Sequence, residues 1–364
     1  MSWILAFLGF AVLIILHEAG HFAAAKAVGM RVERFSLFFP PLIARRRRGE
    51  TEYAIGSIPL GGYVKITGMN PAEEIPPEVA HRAYFRQPVW KRIVVIGAGP
   101  LVNIVLAFLI FAGVYWASGT IEPPPTVQTV EPHSPAAGVL QKGDAIIAVD
   151  GQRPPGSTLA AQNDWVVKRI GTHACAAPRT AKCHAQTPVS LTLRHGSATR
   201  TVSVTPFYDA TLKRMRIGFA PGGTAVAVGP VRAAGLSTGL MWDVTSGTVK
   251  TIAGIFQAEK RKQISGVVGS YEVTRQAFAF SLSSAMLLLG VISLSLGVIN
   301  LFPFLPLDGG HIFWAVAEKI RGRAIPFSIM ERAGFVGFAL VIVLFLIGFT
   351  NDIGRLTGGG FQVR

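Results

Sequence analysis

Apolar residues in this chain gather in four long blocks, separated by stretches with a different rhythm. The first opens WILAFLGFAVLIIL, Trp3 to Leu16, without a polar side chain, and runs on to about Val28. The others cover Ile93 to Trp116, about Ala285 to Phe302, and about Phe335 to Phe349. Crossing about 30 Å of hydrocarbon takes roughly 20 apolar residues of helix, so the pattern predicts about four transmembrane helices. The first block has neither a basic leader nor a cleavage site behind it, and reads as a retained helix rather than a signal peptide.

The stretches between the blocks alternate on a shorter period. In TEYAIGSIPLGGYVKITG, residues 51 to 68, the β-prone Tyr53, Ile55, Ile58, Tyr63, Val64 and Ile66 are broken up by Gly56, Pro59 and Gly61-Gly62. This predicts a β-hairpin or looped sheet, either a plain cytoplasmic hairpin or an edge able to pair with an extended peptide near the membrane. VEPHSPAAGVLQKGDAIIAVDGQ, residues 130 to 152, resembles the strand-and-turn signature of bacterial PDZ domains. Alternating strands follow at 189 to 195 and 199 to 206, with an enlarged loop between about 158 and 186. A PDZ-like domain implies peptide recognition, with a ligand the sequence does not name. Farther on, VRAAGLSTGLMWDVTSGTVKTIAGIF predicts an amphipathic helix on the outer face, because Asp243 and Lys250 rule out a fifth span.

Composition agrees with a membrane protein: of 364 residues 50% are hydrophobic and 15% charged, and the mean hydropathy is +0.43. The net charge of +15 acquires meaning from its placement. Arg45 to Arg48 form a run, Arg82, Arg86, Lys91 and Arg92 precede the second block, and Lys319, Arg321, Arg323 and Arg332 lie between the last two. The positive-inside rule makes both segments cytoplasmic and puts both termini and the long middle segment outside. A nucleic-acid partner is not expected, since the basic residues hug membrane boundaries without interleaved aromatic residues. Cys175 and Cys183 fall in the outside segment, where an oxidising compartment permits a disulfide. A small metal site with His173 or His184, or two free thiols, are the other readings.

The chemistry sits in oil. His17 and His21 in HEAGH are four apart in the first block. On a helix that leaves them about 40° apart in angle and about 6 Å apart in height, aimed at one point. Two imidazole nitrogens can hold Zn2+, and Glu18 beside them is placed to act as general base on a water activated by the metal. Ionisable groups inside a span are costly unless they face one another or a cavity, which favours function over packing. A third ligand is required. Asp308 in NLFPFLPLDGGH is the candidate, because Pro303 and Pro306 break the third helix and Gly309-Gly310 let it turn inward. His311 is the alternative. Small residues at Gly99 and Pro100, with Asn103, suit close helix packing.

HEAGH in the first span, AGPLVNIVLA in the second, the PDZ-like segment and PLDGGH in the third together resemble the site-2 protease family, in particular the bacterial regulator-of-sigma-E protease group. The resemblance implies that His17, His21 and Asp308 bind zinc, that Glu18 is the base, and that Asn300 contacts substrate. It also implies that the β-rich loop, with Tyr53, Ile55, Ile58, Gly61 and Gly62, meets the substrate, and that the PDZ-like region filters by size. The expected architecture is a polytopic α-helical membrane protein with a cytoplasmic, membrane-associated β-sheet and one extracytoplasmic PDZ-like domain. Its parts are a first span at 1–30, a cytoplasmic loop at 31–92, a second span at 93–117 and the PDZ-like domain at 126–206. There follow a linker with the amphipathic helix at 207–283, a third span with LDG at 284–311, a cytoplasmic loop at 312–332, a fourth span at 333–350 and a tail at 351–364. The expected activity is zinc-dependent cleavage of single-span membrane proteins, such as pre-trimmed anti-sigma factors, in a bacterial plasma membrane. A membrane-tethered PDZ scaffold and a zinc transporter are the alternatives.

Overall fold

The computed structural model describes residues 1–357 except 60, 71–72, 157, 177–182, 211, 213, 256, 258–260 and 262–263. It divides into two compact units, Met1–Tyr115 with Pro230–Arg364, and Trp116–Gly229.

The first unit is built on helices. α1 (Ser2–Ala27) is apolar around almost its whole circumference, the pattern of a membrane span rather than of a surface helix, with His17, Glu18, His21 and Lys26 its polar residues after Ser2. It stops where Gly29 takes a left-handed φ of 83° and Met30 N–H reaches back to the Ala25 carbonyl at 2.9 Å, a Schellman ending. α2 (Val89–Ser118) follows the sheet described below. The second half of the unit holds α4 (Pro230–Ala253), α5 (Val267–Phe280), α6 (Leu282–Asn300), α7 (Asp308–Arg321) and α8 (Phe327–Thr357). Among the described residues α1, α2, α6 and α8 are long and apolar enough to cross a membrane, and the protein is a polytopic membrane protein.

Two of the spans differ from the sequence reading. The third span ends at Asn300, and Asp308 opens a separate helix, α7, after the turn through Pro303 and Pro306. The fourth helix continues from Phe327 to Thr357, so 351–357 are helical rather than tail, while 358–364 lie outside the described residues. Polar Asn351 and Asp352 end the hydropathy signal early, yet they bond inward. Asp352 is fully buried and accepts from Gly269 N–H at 2.7 Å in the first turn of α5 and from Ser265 Oγ at 3.1 Å. Asn351 donates to the carbonyls of Arg261 and Ile264. α4 is the amphipathic element, its Leu240, Met241 and Val244 packed with Phe111 and Leu294 while Asp243 and Lys250 are exposed, along with Val231 and Trp242.

β1 (Val32–Leu37), β2 (Phe39–Arg48), β3 (Thr51–Ile58) and β4 (Tyr63–Ile66) form one sheet in the order β2-β3-β1-β4. β1 is parallel to β3 and antiparallel to β4. The sheet begins well before residue 51, because β2 escapes pattern recognition. It is an exposed edge strand with two prolines and four arginines, and such residues are tolerated only at an edge. The sheet lies along α1: Phe38 meets the Phe7 ring at 6.0 Å, Phe22 meets Phe35 and Tyr53 at 5.4 and 5.9 Å, and Lys26 meets Glu50 at 2.6 Å. From Phe7 to Lys26 is about 28 Å of helix, so the sheet flanks most of the span.

Trp116–Gly229 holds a five-stranded sheet in the order β11-β5-β6-β7-β8. Its strands are β5 (Thr120–Val130), β6 (Ala145–Val149), β7 (Val189–His195), β8 (Ala198–Val204) and β11 (Phe219–Val226). A hairpin of β9 (Phe207–Asp209) and β10 (Arg214–Arg216) and the helix α3 (Leu159–Gly171) complete the unit. Val127, Ile146, Val149, Val166, Leu191, Leu193 and Ile217 make its core. β11 pairs with β5, so this unit reaches into the stretch from 207 that the sequence presents as linker; FAPGGTAV offers no alternation to mark it as a strand. Cys175 and Cys183 are joined by a disulfide with 6.0 Å between Cα atoms. Residues 177–182 of the expected enlarged loop lie outside the described residues.

Candidate metal centre

The centre forms where α1, α2 and α7 converge. His17 Nε2 and His21 Nε2 are 3.3 Å apart, and each is 3.3 Å from Asp308 Oδ2. Both histidines are buried. This near-equilateral triangle matches a face of a tetrahedron, whose edges are about 3.3–3.4 Å when ligands stand about 2.0–2.1 Å from zinc. Asp308 Oδ2 is buried without a hydrogen-bond partner, an orphan oxygen that a cation would satisfy. Donor set, spacing and orphaned acceptor all fit zinc.

The surrounding backbone explains the aim of the rings. The Val95 carbonyl on α2 accepts from His21 Nδ1–H at 2.9 Å, which fixes the tautomer and leaves the Nε2 lone pair free for a metal. α1 and α2 can come this close because of two glycines. A Cβ on Gly20 would stand 2.7 Å from the Ala98 carbonyl, and one on Gly99 would overlap His21 Nε2. The packing role that the sequence suggests for Gly99 thus extends to the site itself. α7 is held by Glu318, which receives both Arg92 Nη1 and Nη2, at 3.0 and 2.6 Å. Arg92, read from sequence as a topological charge, is a buried residue on α2. Two partners 226 positions apart leave no sequence signal.

Glu18 is half-buried next to the cluster. A Cβ on Gly62 would lie 2.8 Å from its Cγ and 2.9 Å from the Ser36 carbonyl, so the start of β4 rests against the glutamate. Gly61 faces the Phe39 ring. Tyr53, Ile55 and Ile58 lie on β3, and the backbone of Tyr53 and Ile55 is paired on both sides, with β1 and with β2. They cannot offer a free edge, although their side chains are exposed. Among the described residues β4, which starts beside the glycine that meets Glu18, pairs with β1 alone and leaves its other edge free. A groove of about 490 Å³ lines it, bounded by Tyr63, Lys65, Met69, Asn70 and Glu73 among others. His311, three positions beyond Asp308, is outside the three-residue cluster and lines a small cavity with Tyr84, Arg92, Trp314 and Glu318. Asn300 ends α6, half-buried.

The family profile of Peptidase family M50 matches residues 5–344. The chain belongs to that family. It is similar to a Rhizobium meliloti protein named as a zinc metalloprotease, 29% identical over 95% of this chain and 94% of the relative. Zinc metalloprotease Rip1 of Mycobacterium tuberculosis is 31% identical over 93% of this chain and 94% of its own. A Neisseria meningitidis protein named as a zinc metalloprotease is 28% identical over 98% of this chain and its own full length. The M50 membership and these relatives make the chain a membrane zinc metalloprotease of the site-2 protease family.

Proposed function

We propose that this protease cuts single-span membrane proteins, such as anti-sigma factors already trimmed on the outside, within or beside their transmembrane helix. In this reading His17, His21 and Asp308 hold the zinc and Glu18 is the catalytic base. Zinc, when bound, supplies Lewis acidity toward a water and the scissile carbonyl. Glu18 takes a proton from that water and hands it to the departing amine nitrogen. Gly62 lies against the Glu18 side chain, with no room between them for a larger residue.

A helical substrate hides its peptide bonds in i to i−4 hydrogen bonds, so it must be held extended to be cut. The unpaired edge of β4 provides backbone partners for an extended segment, and its register begins one residue after the glycine that touches Glu18. That juxtaposition is the observation that carries the reading. In this reading the arginine run of β2 and the basic end of α7 are cytoplasmic by the positive-inside rule, and an extracytoplasmic PDZ-like unit selects substrates by peptide recognition or size. Asn300 is retained as a proposed substrate contact.

Glu18→Gln is expected to keep zinc at wild-type stoichiometry and to lower cleavage of a reporter membrane substrate by at least roughly 10²-fold. Undiminished cleavage would remove Glu18 from the mechanism.

A further inference from the structure

The basic residues around the sheet fall into two groups. Lys26 and Arg82 meet Glu50, Arg34 meets Glu52, Lys65 meets Glu33 and Glu73, and Arg92 meets Glu318. Arg45 to Arg48 are all exposed, and among the described residues no carboxylate stands within ion-pair distance of them. Even Glu52, opposite Arg47 in the β2–β3 register, pairs with Arg34 instead. Four adjacent guanidinium groups on one strand, spread over about 10 Å, repel one another unless an anion comes from outside. Because side chains alternate along a strand, Arg46 shares a face with its cross-strand partner Tyr53 while Arg45 and Arg47 take the other. The charge surrounds the strand.

Its height is set by two contacts. The Gly49-Glu50 turn after the arginines is tied to the last turn of α1 through Lys26 and Glu50 at 2.6 Å. At the other end of β2, Phe39 and Ile43 are exposed and neighbouring Phe38 touches Phe7, far along α1. The strand therefore changes character along its length, apolar toward the N-terminal part of α1 and cationic at the helix's C-terminal end. The end of a span is where hydrocarbon gives way to headgroups, and a guanidinium pairs with a phosphate through two parallel hydrogen bonds.

We propose that Arg45 to Arg48 form a binding collar for anionic phospholipid headgroups. The inference rests on α1 as a membrane span and is independent of the proteolytic reading. Bound lipid phosphates neutralise the collar and hold the arginine end of β2 at the headgroup level, with the rest of the sheet alongside α1.

The test uses the full chain reconstituted in phosphatidylcholine vesicles containing 30% phosphatidylglycerol on the order of a cytoplasmic-leaflet anionic fraction, with retained lipids counted by native mass spectrometry. Wild type is expected to retain phosphatidylglycerol in about tenfold excess over its bulk ratio, with the excess falling as salt rises. Replacing Arg45–Arg48 with Gln should abolish most of the excess, and replacing them with Lys should keep part of it. Removing as many charges from the other unit, with Lys142→Gln, Arg153→Gln, Arg194→Gln and Arg214→Gln, should leave it unchanged. Zinc content reports whether each variant has folded, and the wild-type salt titration stands without any variant. No excess in wild type, or equal loss in both glutamine variants, overturns the proposal. So does a Gln variant that keeps phosphatidylglycerol but loses a Glu-rich peptide bound by wild type, which would make the collar a protein-docking surface.

Discussion

At the residue scale, the two histidines and the aspartate were legible because chemistry constrains their spacing. His17 and His21 can share an ion only at helical separation, and Asp308 stood out as a carboxylate among prolines and glycines in an apolar region. What surrounds them was not legible, because backbone groups carry no letter: the Val95 carbonyl that orients His21 would be the same for any residue at that position. Gly99 lies between these cases, readable as small but not as the floor under an imidazole. Gly99→Ala forces a methyl group into the space of His21 Nε2. The expected result is loss of zinc, by metal analysis, and of proteolysis, with helix content by circular dichroism retained.

At the scale of elements, the spans were readable since lipid demands uninterrupted apolar sequence, whereas β2 and β11 were not. Both are edge strands carrying proline, arginine or paired glycines, so neither has the alternation that burial on one face imposes on an interior strand. The reach of α8 was hidden for a related reason: Asp352 looks like solvent-facing polarity and is in fact a cap for another helix. Asp352→Ala strips the Gly269 N–H and Ser265 hydroxyl of their acceptor, at a cost of about 1–3 kcal/mol. Amide hydrogen exchange should then accelerate in the first turn of α5 and remain unchanged in α2.

Asp144 supplies a pH signature for the sheet of Trp116–Gly229. Burial pushes its carboxyl up, but the Gln141 N–H, Arg200 and His195 together outweigh burial and hold it below the ordinary 3.8. A depressed native value means that these bonds stabilise the fold in full above the unfolded value and are lost as pH falls through the native one. Hydrogen-exchange protection of β6 and β7 should therefore decline below about pH 4. The Asp144→Asn variant should be less protected at neutral pH and show a flatter profile.

At the scale of the whole molecule, the order of the segments was plain from the sequence, while the path of the chain around the site was not. The sheet occupies one flank of α1, and α7 reaches the site only after the chain has passed through the entire Trp116–Gly229 unit. The proposed ligands His17 and Asp308 are thus 291 positions apart in the chain, and an ion held by both is a removable cross-link closing a very large loop. Closure entropy grows only with the logarithm of loop length, yet a loop of this size is where a clip constrains the unfolded chain most. Chelation should accordingly lower the melting temperature of the Glu18→Gln protein, which cannot digest itself, and readdition of zinc should restore it. If chelation leaves melting unchanged, α1 and α7 are held together by protein contacts alone. Where chelation does lower melting, the three proposed ligands serve both the catalytic metal and the closure of the fold, so that metal supply sets both how fast this protease works and how long it lasts.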